Sequence, residues 1–280
     1  MTAMTKTAAG EAATSGAARF LEDAGTVVRG EGSPLLCING LLHTAELWDP
    51  VLAPLTARHR TVRFDFPHQN GSPRAGRYAG FDRYCDFVVD MVDALGLDPA
   101  HTDAFGFSVG GDVLRTLAVE RGFRFRRIIV GASAPPGIER FWGTFFTGAL
   151  DLVRKGAFDD FIRLIAFQFY SPLYIEQYPK LLNVMHMKYR QRFADTANLE
   201  ALLEIPLQRR PPDPARDAVL AGGAALVNCL HDHLVPIGAA RDYARRTGIA
   251  YHEIETGHSF LAESPAEAVR LARTILNGED

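Results

Sequence analysis

The residues best suited to chemistry in this sequence are a serine set between glycines and, far downstream, an aspartate and a histidine. Gly106-Phe107-Ser108-Val109-Gly110 has the spacing G-x-S-x-G, and Asp232 and His258 follow in that order. A serine hydroxyl is a weak nucleophile until a base takes its proton, and a histidine base needs a carboxylate to fix its tautomer. The three residues therefore predict an acyl-enzyme on Ser108, with His258 as the base and Asp232 as its carboxylate.

The glycines around Ser108 suit a sharp turn from a strand into a helix. Such a turn lifts the hydroxyl above a sheet, but the crowded backbone leaves little room for side chains at Gly106, Gly110 and Gly111. The apolar run before Ser108 predicts a strand over 101–107, and the helical spacing after it predicts a helix over 112–121. The alternative is a glycine-rich turn with an idle serine, and the downstream aspartate and histidine argue against it.

Strand-like and helix-like segments alternate through most of the chain. Strands are predicted over 18–21, 26–29, 34–38, 61–66, 101–107, 127–130, 224–230 and 250–255, and helices over 46–58, 81–95, 112–121, 216–220, 238–246 and 265–276. This alternation predicts an α/β fold with a mostly parallel sheet covered by helices on both faces. Ligands bind outside the carboxyl ends of such strands, where Asn39-Gly40 and Ser108 fall.

The alternation stops between Phe141 and Gln208, where aromatic and aliphatic residues recur at helical spacing without a convincing strand. We expect a helical cap over 137–214, inserted into an α/β core formed by 19–136 and 215–280, with a disordered tail over 1–18. Most of the aromatic residues should form the core of the cap. Their surplus predicts an apolar pocket, to which Trp142 and Phe146 are expected to contribute.

Composition excludes several classes of function. The 280 residues are 47% hydrophobic and 22% charged, with a net charge of −3, so no basic field for nucleic acid exists. No apolar run is long enough to span a bilayer, and no signal peptide is recognisable. Three cysteines, Cys37, Cys85 and Cys229, predict buried thiols in a reducing, cytoplasmic setting. The sequence leaves the oligomeric state open, a homodimer included.

With these motifs the chain resembles the α/β-hydrolase family over about Phe20 to Leu276. The resemblance is carried by five stretches: Asn39-Gly40, Asp65-Phe66-Pro67 through Gly71-Ser72, Gly106 to Gly111, Asp232 with Val235-Pro236, and Gly257-His258 followed by Glu263-Ser264-Pro265. It implies the α/β-hydrolase fold and an oxyanion hole formed by the backbone amides of Leu41 and Val109. Further expected substrate contacts are Asn39, Leu42 and Phe107.

Two stretches depart from the common pattern of the family. Many members have His-Gly where this chain has Asn39-Gly40, a feature similar to the acyl-transferring synthase of rhamnolipid assembly. The loop after Asp65 also lacks the common glycine-histidine-glycine sequence. Asp65 is the reserve carboxylate should Asp232 point away, and Asp112 is expected on the surface of its helix.

A metal site is not expected. His231 and His233 flank Asp232 at a strand end, but alternate residues there point in opposite directions and no further ligand cluster is evident. His43 and His68 lie on loops near the predicted mouth of the pocket. We favour the interpretation that each is a solvated loop histidine, and contact with substrate is the alternative.

Three functions remain open. The leading hypothesis is a cofactor-independent serine hydrolase that cleaves an ester or thioester of an apolar acyl group, a small-molecule substrate. The alternative is an acyltransferase or cyclase in which an alcohol or amine replaces water on the same acyl-enzyme. The third is a non-catalytic ligand-binding relative that retains the fold.

Overall fold

The computed structural model describes residues 16–69 and 75–278. Its seven-stranded sheet has the order β1-β3-β2-β4-β5-β6-β7. β1 pairs antiparallel with β3, and all other neighbours are parallel, which confirms the predicted α/β-hydrolase fold. The strands are β1 (Val27–Arg29), β2 (Ser33–Ile38), β3 (His59–Arg63), β4 (Asp103–Phe107), β5 (Ile128–Gly131), β6 (Ala224–Cys229) and β7 (Ala250–Ile254).

Helices connect the strands and cover both faces of the sheet. They are α1 (16–23), α2 (Asp49–Leu52), α3 (Phe81–Ala94), α4 (Val109–Glu120), α5 (Glu139–Arg154), α6 (Phe158–Phe169), α7 (Pro172–Gln177), α8 (Leu181–Arg192), α9 (Thr196–Gln208), α10 (Pro214–Asp217), α11 (Ile237–Thr247), α12 (Phe260–Glu263) and α13 (Pro265–Asn277). Short 3-10 turns cover Ala45–Trp48, Ala53–Leu55, Ala75–Tyr78, Pro99–His101 and Ala218–Leu220. None of the described helices is long and apolar enough to cross a membrane.

Each face of the sheet has its own hydrophobic core. Alternate residues of β2 show the division, because Leu36 and Ile38 join one cluster while Leu35 and Cys37 join the other. The larger cluster includes residues of α3, α4, α5, α6, α8, α9 and α11, and the smaller one includes residues of α2, α12 and α13. All three cysteines are buried free thiols, as predicted.

Two local predictions are wrong. The edge strand expected over 18–21 is part of α1, because Phe20 and Ala24, one helical turn apart, are buried and the Phe20 ring packs 5.2 Å from that of Phe87. The single helix expected over 46–58 is divided into two 3-10 turns and α2, with Pro50 and Pro54 at the starts of two of the pieces. Of the tail predicted over 1–18, residues 1–15 lie outside the described part.

The segment between β5 and β6 is entirely helical and irregular, and the structure describes it throughout. We call α5 to α9, residues 139–208, the helical insertion. Its helices α5, α6, α8 and α9 pack on one another and contribute residues to the larger core cluster. Its division into a separate cap over 137–214 remains our proposal.

Candidate active site

Ser108 lies between the end of β4 and the start of α4. Its φ of 54° and ψ of −123° are rare for a residue with a side chain and cost on the order of 1–3 kcal/mol. The Ser108 amide donates to the Gly131 carbonyl at 2.7 Å, and the Ser133 hydroxyl donates to the Ser108 carbonyl at 2.6 Å. The surrounding backbone therefore holds the serine in a strained position.

The glycines of this turn are required by close packing. A Cβ at Gly106 would collide with the backbone of Gly110, and a Cβ at Gly110 would collide with the carbonyl oxygens of Ile38 and Asn39. The predicted lack of room for side chains is confirmed at both positions. α4 begins at Val109, immediately after the serine and three residues earlier than predicted.

Ser108, His258 and Asp232 form one hydrogen-bonded chain. His258 Nε2 lies 2.9 Å from Ser108 Oγ, and His258 Nδ1 lies 2.8 Å from Asp232 Oδ2. An ionised carboxylate can only accept, so Nδ1 carries the proton and Nε2 is left to accept from the serine hydroxyl. The side chains of Asp232 and His258 are almost completely buried, at 0% and 1% exposure. This arrangement can remove the serine proton.

Asp232 is fixed by its own loop. Its Oδ1 accepts from the backbone amides of Leu234 and Val235, at 2.7 and 2.9 Å, while Oδ2 faces the imidazole. Its two histidine neighbours point elsewhere: His231 lies 3.8 Å from Glu255, and His233 Nδ1 lies 2.9 Å from the Phe167 carbonyl. Within the described ranges no group of three potential metal-ligand side chains forms.

The two amides expected to bind an oxyanion lie beside the serine. A Cβ built on Gly40 would stand 3.2 Å from Ser108 Cβ, so this loop abuts the serine. Gln69 Nε2 donates to the carbonyls of Gly40 and Leu41 at 2.6 and 2.8 Å. Because C=O and N–H point in opposite directions across a trans peptide, the Leu41 N–H points away from Gln69. Val109, first in α4, has an N–H without an intrahelical acceptor.

Asn39, expected to contact substrate, instead supports this loop. It is buried, and its Nδ2 donates to the Phe64 carbonyl at 3.0 Å and lies 3.3 Å from both Asp65 Oδ1 and Gln69 Oε1. Its Oδ1 accepts from Trp48 Nε1 at 2.7 Å. The amide is therefore fully occupied by the scaffold. Asp65, the reserve carboxylate, belongs to this same network.

The loop that carries the histidine is held from outside the sheet. We call residues 257–259 the base loop. Glu263 accepts from the Gly257 amide at 3.1 Å and from the amide and hydroxyl of Ser171, at 2.8 and 2.6 Å. Ser171 belongs to the helical insertion, between α6 and α7. One carboxylate therefore joins the insertion to the base loop, a contact that the sequence analysis missed.

Aromatic rings enclose the imidazole. Phe107 and Phe169 lie 5.4 and 5.3 Å from the His258 ring, and both also contact the ring of His43, at 5.3 and 5.6 Å. His43 Nε2 lies 3.2 Å from the Ser259 hydroxyl. Burial, followed by nearby positive charge, lowers the pKa of His43 to about 3, so its ring is neutral. His43 therefore belongs to the wall of the site and is not a solvated loop histidine.

The remaining predicted contact residues are buried around this centre. The Leu42 carbonyl accepts from the Tyr189 hydroxyl at 3.2 Å. This bond ties residues 40–42, which we call the oxyanion loop, to the insertion. Trp142 Nε1 donates to the Leu234 carbonyl at 2.7 Å, and its ring lies 5.4 Å from that of Phe146. Contact of Leu42, Phe107, Trp142 and Phe146 with substrate stays a prediction.

Asp112 is deeply buried, so the surface position expected for it is wrong. Both of its carboxylate oxygens lack a hydrogen-bond partner among the described residues, and the nearest cation, Arg209 Nη1, lies 3.8 Å away. Burial raises the pKa of Asp112, although the positive charge of Arg209 opposes that rise. The Arg209 guanidinium in turn lies over the Trp142 ring, 4.6 Å from its centre. The helical pattern gave no signal for this burial.

The chain is similar to known hydrolases over most of its length. A sequence model of the alpha/beta hydrolase family matches residues 35–271. Pyrrolizixenacetamide deacetylase from Xenorhabdus hominickii is 26% identical over 261 residues, which cover 90% of this chain and 94% of the relative.

Solved structures share the fold at lower identity. MGS-M2, an alpha/beta hydrolase enzyme from a Medee basin deep-sea metagenome library, has a TM-score of 0.80 and 14% identity, covering 91% of this chain and 94% of its own. The enol-lactonase from Burkholderia xenovorans LB400 has a TM-score of 0.73 and 18% identity, covering 90% and 95%. The structures show the shared fold, while the family match and the deacetylase support a general hydrolase role.

Proposed function

The chain belongs to the alpha/beta hydrolase family, and on that premise we propose that it is a cofactor-independent serine hydrolase that cleaves an ester or thioester of an apolar acyl group. The single observation that carries the proposal is the hydrogen-bonded chain from Ser108 through His258 to Asp232, at 2.9 and 2.8 Å. The strained serine backbone supports it, because strain of this kind is found where a side chain must be held for chemistry.

In the first half of the reaction, His258 Nε2 takes the proton of the Ser108 hydroxyl as the oxygen attacks the substrate carbonyl. The negative charge that develops on the carbonyl oxygen is bound by the amides of Leu41 and Val109, each worth about 3 kcal/mol in comparable sites. Asp232 stabilises the imidazolium. The tetrahedral intermediate then collapses, the imidazolium protonates the leaving oxygen or sulfur, and the acyl group stays on the serine.

In the second half, a water molecule takes the place of the leaving group. His258 removes a proton from that water, the resulting hydroxide attacks the acyl-serine carbonyl, and the same two amides bind the second oxyanion. Collapse returns the proton from the imidazolium to Ser108 and releases the free acid. Each step uses only side chains and amides of this chain, together with substrate and water.

The test is substitution of the nucleophile. We expect Ser108→Ala to abolish covalent labelling by a fluorophosphonate and to lower kcat/KM for aryl esters by about 10⁴-fold or more. The substrates are a panel of aryl esters and acyl thioesters with acyl chains of different lengths. An acetanilide is added because the Xenorhabdus relative is named a pyrrolizixenacetamide deacetylase. Labelling and turnover in the two proteins are compared by mass spectrometry and by product release.

A matched control separates the hydroxyl from general damage. Ser264 directly precedes α13, and its side chain makes no capping hydrogen bond to that helix. It is changed to alanine in parallel, and this variant should keep full labelling. Thermal unfolding confirms that both variants are folded. Undiminished labelling of Ser108→Ala would remove Ser108 as the nucleophile, and folded wild-type protein that neither labels nor turns over any substrate would favour the non-catalytic relative.

Acyl transfer is the second candidate, and one observation favours it. Ser108 is only 9% exposed, and Phe169 of the helical insertion lies 5.3 Å from the ring of its neighbour His258. A covered acyl-enzyme disfavours attack by bulk water. Hydrolysis and transfer share the same intermediate, so the products decide between them. Wild-type protein incubated with an activated ester and competing alcohols or amines should yield acylated acceptor if transfer is the activity, whereas free acid alone would leave hydrolysis.

A further inference from the structure

Helix α8 presents one continuous stripe of side chains to a cleft beside the candidate active site. The cleft has a volume of about 450 Å³ and is bounded on its other side by the loop that begins at Leu42 and by residues just after the base loop. The stripe follows the helical repeat over its whole length: Leu181, Val184, Met185, Lys188, Tyr189 and Arg192. An elongated ligand could therefore lie along a single helix face.

The two ends of this stripe differ in chemistry. The first turn of α8 offers Leu181, Val184 and Met185, and the last turns offer the cations Lys188 and Arg192. Seven residues separate Leu181 from Lys188, which corresponds to about 10 Å along the helix axis. The cleft wall is thus apolar at one end and positively charged at the other.

Neither cation forms a close ion pair with a described carboxylate, although Arg192 is near enough to buried Asp65 for its positive charge to oppose the rise in the Asp65 pKa that burial causes. Across the described residues, no acidic side chain lies within 4.0 Å of either the Lys188 or the Arg192 head group. Arg192 Nη1 donates to the Leu42 carbonyl at 3.1 Å. A guanidinium carries five N–H donors, and this bond uses one of them. The exposed carboxylate of Glu46 lies on the opposite wall, and a second cleft of about 700 Å³ shares Glu46, Lys188 and Arg192.

The charged end of the cleft contacts the loop that carries an expected oxyanion donor. Leu42, the acceptor of the Arg192 bond, directly follows Leu41, whose amide is an expected oxyanion donor. An anion bound at Lys188 and Arg192 would therefore sit close to the scissile carbonyl, while an apolar chain would extend away toward Leu181.

We infer that the α8 cleft binds an anionic group and an apolar chain of the same molecule, the anion at Lys188 and Arg192 and the chain along Leu181, Val184 and Met185. The inference rests on the proposed function in one respect: it assigns the substrate class as acyl esters with a carboxylate or phosphate close to the ester. A neutral ester of the same length would occupy the cleft without an ionic contact to Lys188 or Arg192.

Binding is tested apart from catalysis. Ser108→Ala protein is titrated by calorimetry with octanoate, octyl phosphate and the neutral analogue octanamide. We expect at least one of the two anions to bind about tenfold more tightly than octanamide, and Lys188→Gln to weaken that anion five- to tenfold while leaving octanamide unchanged. The anion that loses more affinity identifies the preferred head group.

Lys188 is chosen because Arg192 also holds the oxyanion loop. The matched control is Lys180→Gln, which removes an equal charge from an exposed residue just before α8 and outside the cleft lining. Its affinity for the anions should equal that of the parent. Equal affinity for anion and amide in the parent, or equal losses in the two lysine variants, would overturn the inference.

Turnover separates this inference from the proposed function. Wild-type protein and the two lysine variants are compared on octanoyl glycolate, which carries a carboxylate near its ester, and on the neutral octanoyl glycolamide. We expect kcat/KM for the anionic ester to fall about fivefold in Lys188→Gln alone. Serine-dependent hydrolysis without that preference defeats only the inference, and lysine-dependent octanoate binding without any hydrolysis defeats only the proposed function.

Discussion

The nucleophile and the base of the candidate active site are held by different parts of the molecule. Ser108 is fixed by its neighbours in the sheet: the Gly131 carbonyl, the Ser133 hydroxyl and glycines packed against backbone. His258 is enclosed by Phe169 of the helical insertion, and its loop is joined to that insertion by Glu263. One half of the site is thus built into the sheet, and the other depends on a separate helical layer.

Disturbing the insertion should move the base and leave the nucleophile turn intact, because no insertion residue donates to the Ser108 backbone. Disturbing the nucleophile turn should damage the sheet itself, because Gly110 packs directly on the end of β2. The two halves can therefore be separated by measuring stability and activity together.

The largest effect is expected at the nucleophile turn. Gly110→Ala places a Cβ against the carbonyl oxygens of Ile38 and Asn39, which are backbone atoms that cannot rotate away. We expect a loss of about 3 kcal/mol in the free energy of unfolding and nearly complete loss of fluorophosphonate labelling. Chemical denaturation and labelling are measured on the same samples.

Gly143→Ala is the control for that substitution. Gly143 also lies within a helix, α5, but a Cβ there would meet nothing within 4 Å. Because alanine is the better helix former, this variant should be unchanged or stabilised by up to about 1 kcal/mol. Similar losses in both variants would show that the close packing at Gly110 is not the cause.

The next effect tests the attachment of the base loop. Glu263→Gln replaces one acceptor oxygen with a donor that faces the donors of Ser171 and Gly257. We expect kcat to fall about 10- to 100-fold while KM for small esters changes little. The free energy of unfolding should fall by only about 1–2 kcal/mol. The measurements are steady-state kinetics and denaturation.

Glu267→Gln is the matched control for the base-loop variant. Glu267 pairs with Arg270 on the surface of α13, where an exposed ion pair is worth little. It should leave both kcat and stability unchanged. If Glu263→Gln instead lost stability in proportion to activity, or kept its full kcat, the insertion would not be positioning the base.

The same division explains what could be predicted from the sequence. The nucleophile turn was predictable because its geometry is dictated locally, by Gly106, Gly110 and the strand and helix that flank them. The chain order of Asp232 and His258 at successive strand ends predicted that both residues would approach the serine, and their side chains lie at hydrogen-bond distance. Local pattern and topology were sufficient for these features.

Contacts between distant segments were not predictable. Glu263 and Ser171 are 92 positions apart, and Gln69 reaches Gly40 across 29 positions, so no spacing in the sequence links them. The hydrogen bonds of Asn39 were unpredictable for the same reason, because its partners come from three separate segments. The buried Asp112 occupies a helix position that pattern alone assigns to the surface, and only tertiary packing reveals its burial.

The smallest effect concerns His43, which contacts both halves of the site through Phe107 and Ser259. Its pKa is about 3 in the folded protein, lowered by burial and then by electrostatic interactions with His258 and Arg192, against about 6.5 when unfolded. Between these values the unfolded chain binds the extra proton, so the stability of the native state falls as pH drops below about 6.5.

His43→Gln cannot titrate, and Gln supplies an acceptor for the Ser259 hydroxyl. We therefore expect the variant to lose about 1–2 kcal/mol less stability than wild type between pH 6 and pH 4.5, measured by urea unfolding at each pH. Parallel stability curves for the two proteins would mean that His43 is protonated in the native state, and the neutral wall beside His258 would then be wrong.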